Sequence, residues 1–276
     1  MRDRMNKRRY LKILLILLAV VTVVNAFRID IKVVRYELKS HKISRGFRIV
    51  LITDLHSCDY GEQQDKLMNR IVEQKPDIVL LGGDIVDDVL PQAKAKEFLS
   101  AVSERFPCYY VSGNHEYWSG DIQNIKEMIE GYGITVLEGE TLSVVVNGQS
   151  IMLSGVDDPE VGEAAFQAQL DACAEYAGKN DFSVLLSHRP ERIEDYQAAG
   201  FDLVLAGHAH GGQWRIPYLL NGLLAPNQGF FPKYAGGLYQ ISPAVMVVGR
   251  GLARESTRIP RIFNRPEVVV IDVNPG

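Results

Sequence analysis

Cysteine is scarce: Cys58, Cys108 and Cys173 are the three in 276 residues. So sparse and odd a set is no disulfide framework. Each is expected to be a small buried or half-buried residue. Positive charge is short as well. Thirty Lys and Arg against 34 Asp and Glu leave a formal charge of −4, which argues against a nucleic-acid binder held by bulk charge. No internal repeat or low-complexity tract is present, and nothing in the composition suggests a disordered, collagen-like or coiled-coil chain. The length suits one α/β domain that buries a large core without disulfides.

A charge-free apolar run of full membrane length is also missing. Residues 13–27 (ILLILLAVVTVVNAF) are 15 residues without a charge, shorter than the ~20 of a comfortable span, though Tyr10 and Leu11 extend them. Residues 1–12 before them hold six basic residues and one acid, so the rest of the chain carries 24 basic and 33 acidic residues, a net −9. A basic flank and an apolar stretch fit an uncleaved signal anchor. A signal peptide cut after Ala26 and a buried helix are the alternatives. Either export reading keeps the basic flank inside and sends the body out. Arg8-Arg9 matches a twin-arginine signal only in part.

Beyond residue 28, apolar runs alternate with helical stretches. Strands are expected near 29–38, at 47–53, 77–81 and 108–111, and two or three at 134–154 with Asn147-Gly148 as a hairpin turn. Further strands are expected at 183–186, 203–206, 244–249 and 267–272. Helices are expected at 63–75, 92–105, 122–131, 160–176 and 191–199. Residues 211–243, rich in Gly, Pro and aromatics, read as a long loop. The alternation implies sheets flanked by helices, and no linker divides residues 40–276.

Five of the six histidines follow these strands, in the company of Asp or Asn. The runs lead into Asp54-Leu55-His56, Gly82-Gly83-Asp84 with Asp87, Gly113-Asn114-His115-Glu116, His188-Arg189-Pro190 and Gly207-His208-Ala209-His210. Ligands of open α/β sheets bind beyond the carboxyl ends of strands. Each motif alone is ordinary: a lone His after a strand is usually a packed residue, and Asp favours turns. Five together point to one site. No cysteine takes part, which excludes a Cys-type zinc site. Carboxylate, imidazole and amide donors suit Mn, Fe or Zn ions. Seven donors (Asp54, His56, Asp84, Asn114, His188, His208, His210) are too many for one ion and suit two ions sharing a carboxylate.

In this order the motifs D-x-H, G-D-x-x-D, G-N-H-E, H and G-H-x-H resemble the calcineurin-like metallophosphoesterases over about residues 47–272. GHAHGGQWRIP (207–217), APNQGFFPKY (225–234) and the closing VVGRGLARES…RIFNRPEVVVI look like a membrane-anchored bacterial phosphodiesterase branch. That branch is similar to enzymes acting on UDP-2,3-diacylglucosamine and on cell-envelope phosphodiesters. The resemblance implies a four-layer α/β/β/α sandwich with an N-terminal membrane-anchor helix. Residues 1–27 would be the basic tag and signal anchor, and 28–276 the phosphoesterase domain.

By the same resemblance, Asp54, His56 and His210 hold one divalent ion, Asn114, His188 and His208 the second, and Asp84 bridges them. His115 stands beside the phosphoryl group as the catalytic proton or hydrogen-bond donor, and Asp87 orients it. A metal-bridging hydroxide attacks phosphorus. Two ions offset by two carboxylates and a hydroxide leave about one positive charge for an anionic diester. Asp88 stands where the protein Ser/Thr phosphatases carry Arg, so a phosphoprotein substrate is not expected. Ser57 stands where the branch often has Asn. Arg189, Asn227, Gln228 and Lys233 are candidate substrate contacts, each weighed against loop bracing. Trp118 and Trp214 either wall the pocket or fill space, while Arg250, Arg254 and Arg258 read as solvated or ion-paired.

The expected activity is a phosphodiesterase acting on a cell-envelope lipid or polymer, at phosphodiester or pyrophosphate bonds. The alternatives are a nucleotide phosphodiesterase and a metal-stabilised binding protein without catalysis, against which His115 argues. The expected partners are a small-molecule or lipid phosphodiester and, through the anchor, the cell membrane. The catalytic body would lie outside the cytoplasm behind a single N-terminal span. Nucleic acid is not expected, and a monomer is.

Overall fold

The computed structural model describes residues 2–242, 244–256 and 259–276. The first half of the chain forms α1 (Arg2–Ala26), β1 (Lys32–Ser40), β2 (Phe47–Ile52), α2 (Asp65–Val72), β3 (Ile78–Gly82), α3 (Ala93–Ser103), β4 (Cys108–Val111), α4 (Asn114–Trp118), α5 (Ile122–Gly131) and β5 (Thr135–Val136). The second half forms β6 (Thr141–Val146), β7 (Gln149–Gly155), α6 (Glu163–Ala174), β8 (Phe182–Leu186), α7 (Ile193–Ala199), β9 (Leu203–Ala206), β10 (Leu224–Ala225), β11 (Gly229–Phe230), β12 (Gly237–Ile241), β13 (Ala244–Val248) and β14 (Glu267–Pro275).

Two six-stranded sheets result, ordered β1-β14-β2-β3-β4-β5 and β12-β13-β9-β8-β7-β6. The central strands β2, β3 and β4 run parallel, as do β7, β8, β9 and β13. Parallel strands covered on both faces are apolar throughout, and alternate residues serve different cores. In β2, Ile49 and Leu51 enter a core shared by the two sheets, while Val50 and Ile52 enter one shared with α2, α3 and α5. In β9, Leu203 and Leu205 face the inter-sheet core and Val204 faces α6 and α7. The layers are therefore α/β/β/α, as the resemblance implies. The last strand, β14, lies inside the first sheet, parallel to β1 and antiparallel to β2.

Differences from the sequence reading are local. Helix 63–75 is shorter, with α2 at Asp65–Val72 and Lys75 in a left-handed conformation before Pro76. The short α4 has no counterpart among the expected elements. Residues 211–243 are not one loop: they contain the β10–β11 hairpin and the edge strand β12. Asn147-Gly148 turns the β6–β7 hairpin with φ of 50° and 77°, as the primed turns require.

Helix α1 is exposed from residue 7 to residue 25, and Ala26 is buried. Its stretch Lys7–Ala26 is 20 residues of mean hydropathy 1.9, longer than the uncharged run. At 1.5 Å per residue it rises ~30 Å, a bilayer core's thickness. Its end is tied to the body by the Phe263 N–H, which donates to the Ala26 carbonyl at 2.7 Å. The three cysteines are free and buried.

Candidate metal centre

The ends of β2, β3 and β4 in one sheet and of β8 and β9 in the other deliver the motif residues to one place. Backbone conformation there is unusual. Asp54, His56, Asp84, His208 and His210 all have φ between 46° and 64°. Asp and His enter this left-handed region more readily than most residues, yet it persists only where surroundings fix it. Three clasps do so. The buried Glu116 carboxylate accepts four backbone N–H groups, from Asp84, Ile85, Val86 and Gly113, at 2.7–3.0 Å. Asp54 Oδ1 accepts the His208 N–H at 2.9 Å, across 154 residues. Asp84 Oδ1 accepts the His115 N–H at 2.9 Å. Glycine is required where these loops touch: a Cβ on Gly113 would stand 2.2 Å from Asp84 Oδ1.

Beside a cluster of His56, Asp87 and His115, the expected ligands fall into two overlapping groups with donor atoms within 4.8 Å: Asp54, His56, Asp84 and His210, and Asp84, His188 and His208. Asp84 belongs to both. Its Oδ2 is 3.4 Å from His56 Nε2 and 3.1 Å from His188 Nε2. Hydrogen bonding assigns the tautomers. His188 Nδ1 donates to the Gly82 carbonyl at 2.8 Å and His56 Nδ1 to Asp87 at 2.9 Å. In its neutral, ligating form each of these rings has an Nε2 lone pair facing the lone pairs of a carboxylate. Asp54 Oδ2, His56 Nε2, Asp84 Oδ2, Asn114 Oδ1, His188 Nε2 and His210 Nδ1 are all buried without a hydrogen-bond partner. Buried acceptors without donors are costly, and cations satisfy them. His208 Nε2 pairs with Asn227 Oδ1 at 2.8 Å, which leaves Nδ1 to ligate. The residues present thus fit two divalent ions.

Electrostatics agree. Burial opposes a charge on His188, but Asp84 and Asp54 outweigh it and push its pKa up to about 10. A proton there stands in for a cation. Burial likewise opposes a charge on Asp84, and His188 and His56 overcome it, holding the carboxyl well below its usual range. Burial, with neighbouring cations, drives His208 and His210 well below the usual imidazole value. These rings are neutral donors, as ligation demands. Burial and the nearby Asp84 push Glu116 up to about 7.

His115 and Asp87 are arranged differently from expectation. His115 Nδ1 contacts Asp88 Oδ1 at 2.6 Å, and Asp87 Oδ2 lies at 3.7 Å. Asp87 instead holds His56, with its other oxygen accepting the Val89 and Leu90 amides. The loop's turn at Asp87 aims adjacent carboxylates at different rings. Asp88, read from sequence only as a departure, is therefore the partner of His115. His115 packs between His56 and Trp118, at ring separations of 4.3 and 4.8 Å.

Among the four candidate substrate contacts, Arg189 and Asn227 reach the centre. Arg189 is buried, bound by both Nε and Nη2 to Asp158, and its Nη1 lies 2.8 Å from Asn227 Oδ1 and 3.2 Å from His208 Nε2. Gln228 braces its own loop through the Tyr234 backbone. Lys233 lies exposed over the Tyr234 ring. Arg250 pairs with Glu267 and Arg254 with Glu255, while Arg258 is outside the described residues. Sequence reasoning also passed over Asp158, although Asp157-Asp158 follows an apolar strand as the metal-binding motifs do. It passed over Gly251 too, where a Cβ would stand 2.5 Å from Asp54 Cβ.

Comparison with known proteins bears on this geometry. A family model described as calcineurin-like phosphoesterase matches residues 47–212. The metallophosphoesterase YkuE of Bacillus subtilis is 30% identical, over 87% of this chain and 84% of its own. Phosphodiesterase YaeI of Escherichia coli is 29% identical, over 86% and 88%. A zebrafish transmembrane protein with a metallophosphoesterase domain is 29% identical over 83% of this chain, which spans about half (54%) of that protein. A 5'-nucleotidase precursor from Thermus thermophilus shares the fold, with a TM-score of 0.50 at 13% identity over 83% of this chain and 54% of its own.

Proposed function

Since the chain belongs to the calcineurin-like phosphoesterase family and is a metal-dependent phosphoester hydrolase, we propose that it cleaves phosphodiester or pyrophosphate bonds in a cell-envelope lipid or polymer. In this reading α1 anchors it to the cell membrane and the body works outside the cytoplasm. The observation that carries the two-ion chemistry is the Asp84 carboxylate. It belongs to both donor groups, and its Oδ2 faces two imidazole nitrogens without a hydrogen bond.

Asp54, His56, His210 and Asp84 would hold one ion and Asn114, His188, His208 and Asp84 the other. When bound, such ions supply Lewis acidity toward the phosphoryl oxygens and activate water near neutral pH. The remaining work falls to the chain. Asp87 fixes the His56 ring so that Nε2 keeps its lone pair. Asp88 fixes the His115 ring through Nδ1, leaving Nε2 for an oxygen of the substrate. There it donates a proton to the departing alkoxide, a contribution of ~10²–10⁴ in rate. Arg189, held rigid by Asp158, keeps Nη1 beside His208 and Asn227 and braces the second ion's ligand. The envelope reading draws on the 20-residue apolar stretch Lys7–Ala26 of α1 and on the transmembrane relative.

The test uses the purified full chain, stripped of metal and then titrated with Mn²⁺. Metal content is counted while hydrolysis of bis(p-nitrophenyl) phosphate is followed beside that of p-nitrophenyl phosphate. Metal-dependent turnover favouring the diester is expected. Two bound ions per chain with no turnover of either compound would sink the diesterase reading.

A further inference from the structure

The face beside the end of α1 carries large apolar groups that the fold itself does not use. Trp214, Ile216, Tyr218, Leu219, Phe230 and Phe231 are all exposed, Tyr218 completely and Leu219 by 85%. This is an ordered surface. The Leu219 and Leu220 amides both donate to the Ile216 carbonyl, and Arg215 N–H donates to the Ile262 carbonyl. A tight turn that holds its apolar tip outward calls for an apolar partner.

Position identifies the partner. Pro217 lines a groove with Asn25, in the last turn of α1, and with Phe263, which caps that helix. The loop therefore stands level with the helix end, where a span of ~30 Å leaves the hydrocarbon. Charge agrees. Arg28, Lys32, Arg250 and Arg265 line that groove, and Arg215 lines the adjoining one. Two acids pair with members of this set, Asp30 with Arg28 and Arg265, and Glu267 with Arg250. Five cations against two acids suit the phosphates of anionic lipids.

We propose that this face lies on the bilayer that α1 enters, with residues 214–231 seated in the headgroup layer. The inference rests on the reading of α1 as a membrane span. It gives the metal centre a fixed height above the membrane. The β10–β11 hairpin that presents Phe230 and Phe231 turns through Asn227, which contacts both His208 and Arg189. Its outer side thus meets lipid and its inner side meets the metal ligands, so a diester lying in the headgroup layer reaches the centre without leaving the membrane.

The test uses the full chain with both tryptophans removed (Trp118→Phe, Trp214→Phe) and one tryptophan restored at a chosen place. Three proteins are made: Tyr218→Trp on the loop, Leu17→Trp in α1, and Val145→Trp on the exposed face of β6. Each is reconstituted in phosphatidylcholine–phosphatidylglycerol vesicles with brominated acyl chains, and its fluorescence is compared with that in unbrominated vesicles. Loss of fluorescence for Tyr218→Trp and Leu17→Trp, with none for Val145→Trp, is the expected result. Quenching of Leu17→Trp alone overturns the docking face and leaves the anchor standing. Quenching of neither removes the anchor reading and this inference with it. A Tyr218→Trp signal that shifts with protein concentration but not with bromine means that a second copy covers the face, and likewise overturns the proposal.

Discussion

Asp87 and Asp88 are neighbours in the chain with separable effects. Asp87 supports a metal ligand, so Asp87→Asn is expected to weaken metal binding by about 10–100-fold, read in an equilibrium titration. Asp88 supports His115, so Asp88→Asn is expected to keep both ions and lower kcat. His115→Ala is expected to lower kcat further, by about 10²–10⁴, again at full metal content. If Asp87→Asn kept its ions and lost only kcat, the arrangement of the two carboxylates would have to be exchanged. Asp84→Asn should act on both ions at once, because one residue serves both donor groups. Its measured stoichiometry is expected to fall below two per chain.

Between elements, a buried lysine helps to clasp the two halves of the sandwich. Lys126 on α5, whose neighbours Ile125 and Ile129 pack on the first sheet, reaches Asp157 beyond β7 of the second at 2.7 Å and also contacts Glu138. Burial lowers the Lys126 pKa, but Asp157 and Glu138 outweigh it and hold the amine above its usual 10.5. The clasp is therefore complete below pH 10.5 and is lost as pH rises through the folded value. Lys126→Met leaves the buried Asp157 without its cation, held by the Ser112 hydroxyl and the Gln169 amide, at a cost of about 3 kcal/mol near neutrality. Urea denaturation should show the gap from the native chain narrowing above pH 10.5, and a constant gap would contradict the assignment. Leu80→Ala, in the inter-sheet core, is expected to cost about 2–5 kcal/mol at either pH. The elements differ in how far sequence reveals them. Strands buried on both faces announce themselves as unbroken apolar runs, and donors placed just after them can be read directly. Five-residue α4 is too short for periodicity to show. Strand β12 is hidden by the glycines and prolines around it. Which of two adjacent carboxylates meets which ring depends on the turn at residues 87–88, and residue spacing does not encode that turn.

At the scale of the molecule, charge and apolarity are divided. The first 12 residues are basic, the body carries −9, and the apolar stretch lies between them. Membrane attachment through such a stretch depends on buried hydrocarbon rather than on screened charge. The full chain is expected to stay with membranes through high-salt and alkaline washes; release by salt alone would make the attachment electrostatic. The centre has a wider consequence as well. Asp54 and Asp84 each give one oxygen to the amide of another loop and keep the second free, while Glu116 gathers four amides by itself. The framework that aims the donors is thus built of hydrogen bonds within the chain. Chelation is therefore expected to leave the chain folded, and loss of its native circular dichroism on metal removal would contradict this. A centre held in shape by the chain's own hydrogen bonds would take its metal from what surrounds it, so one polypeptide would serve as a different metalloenzyme as its growth conditions change.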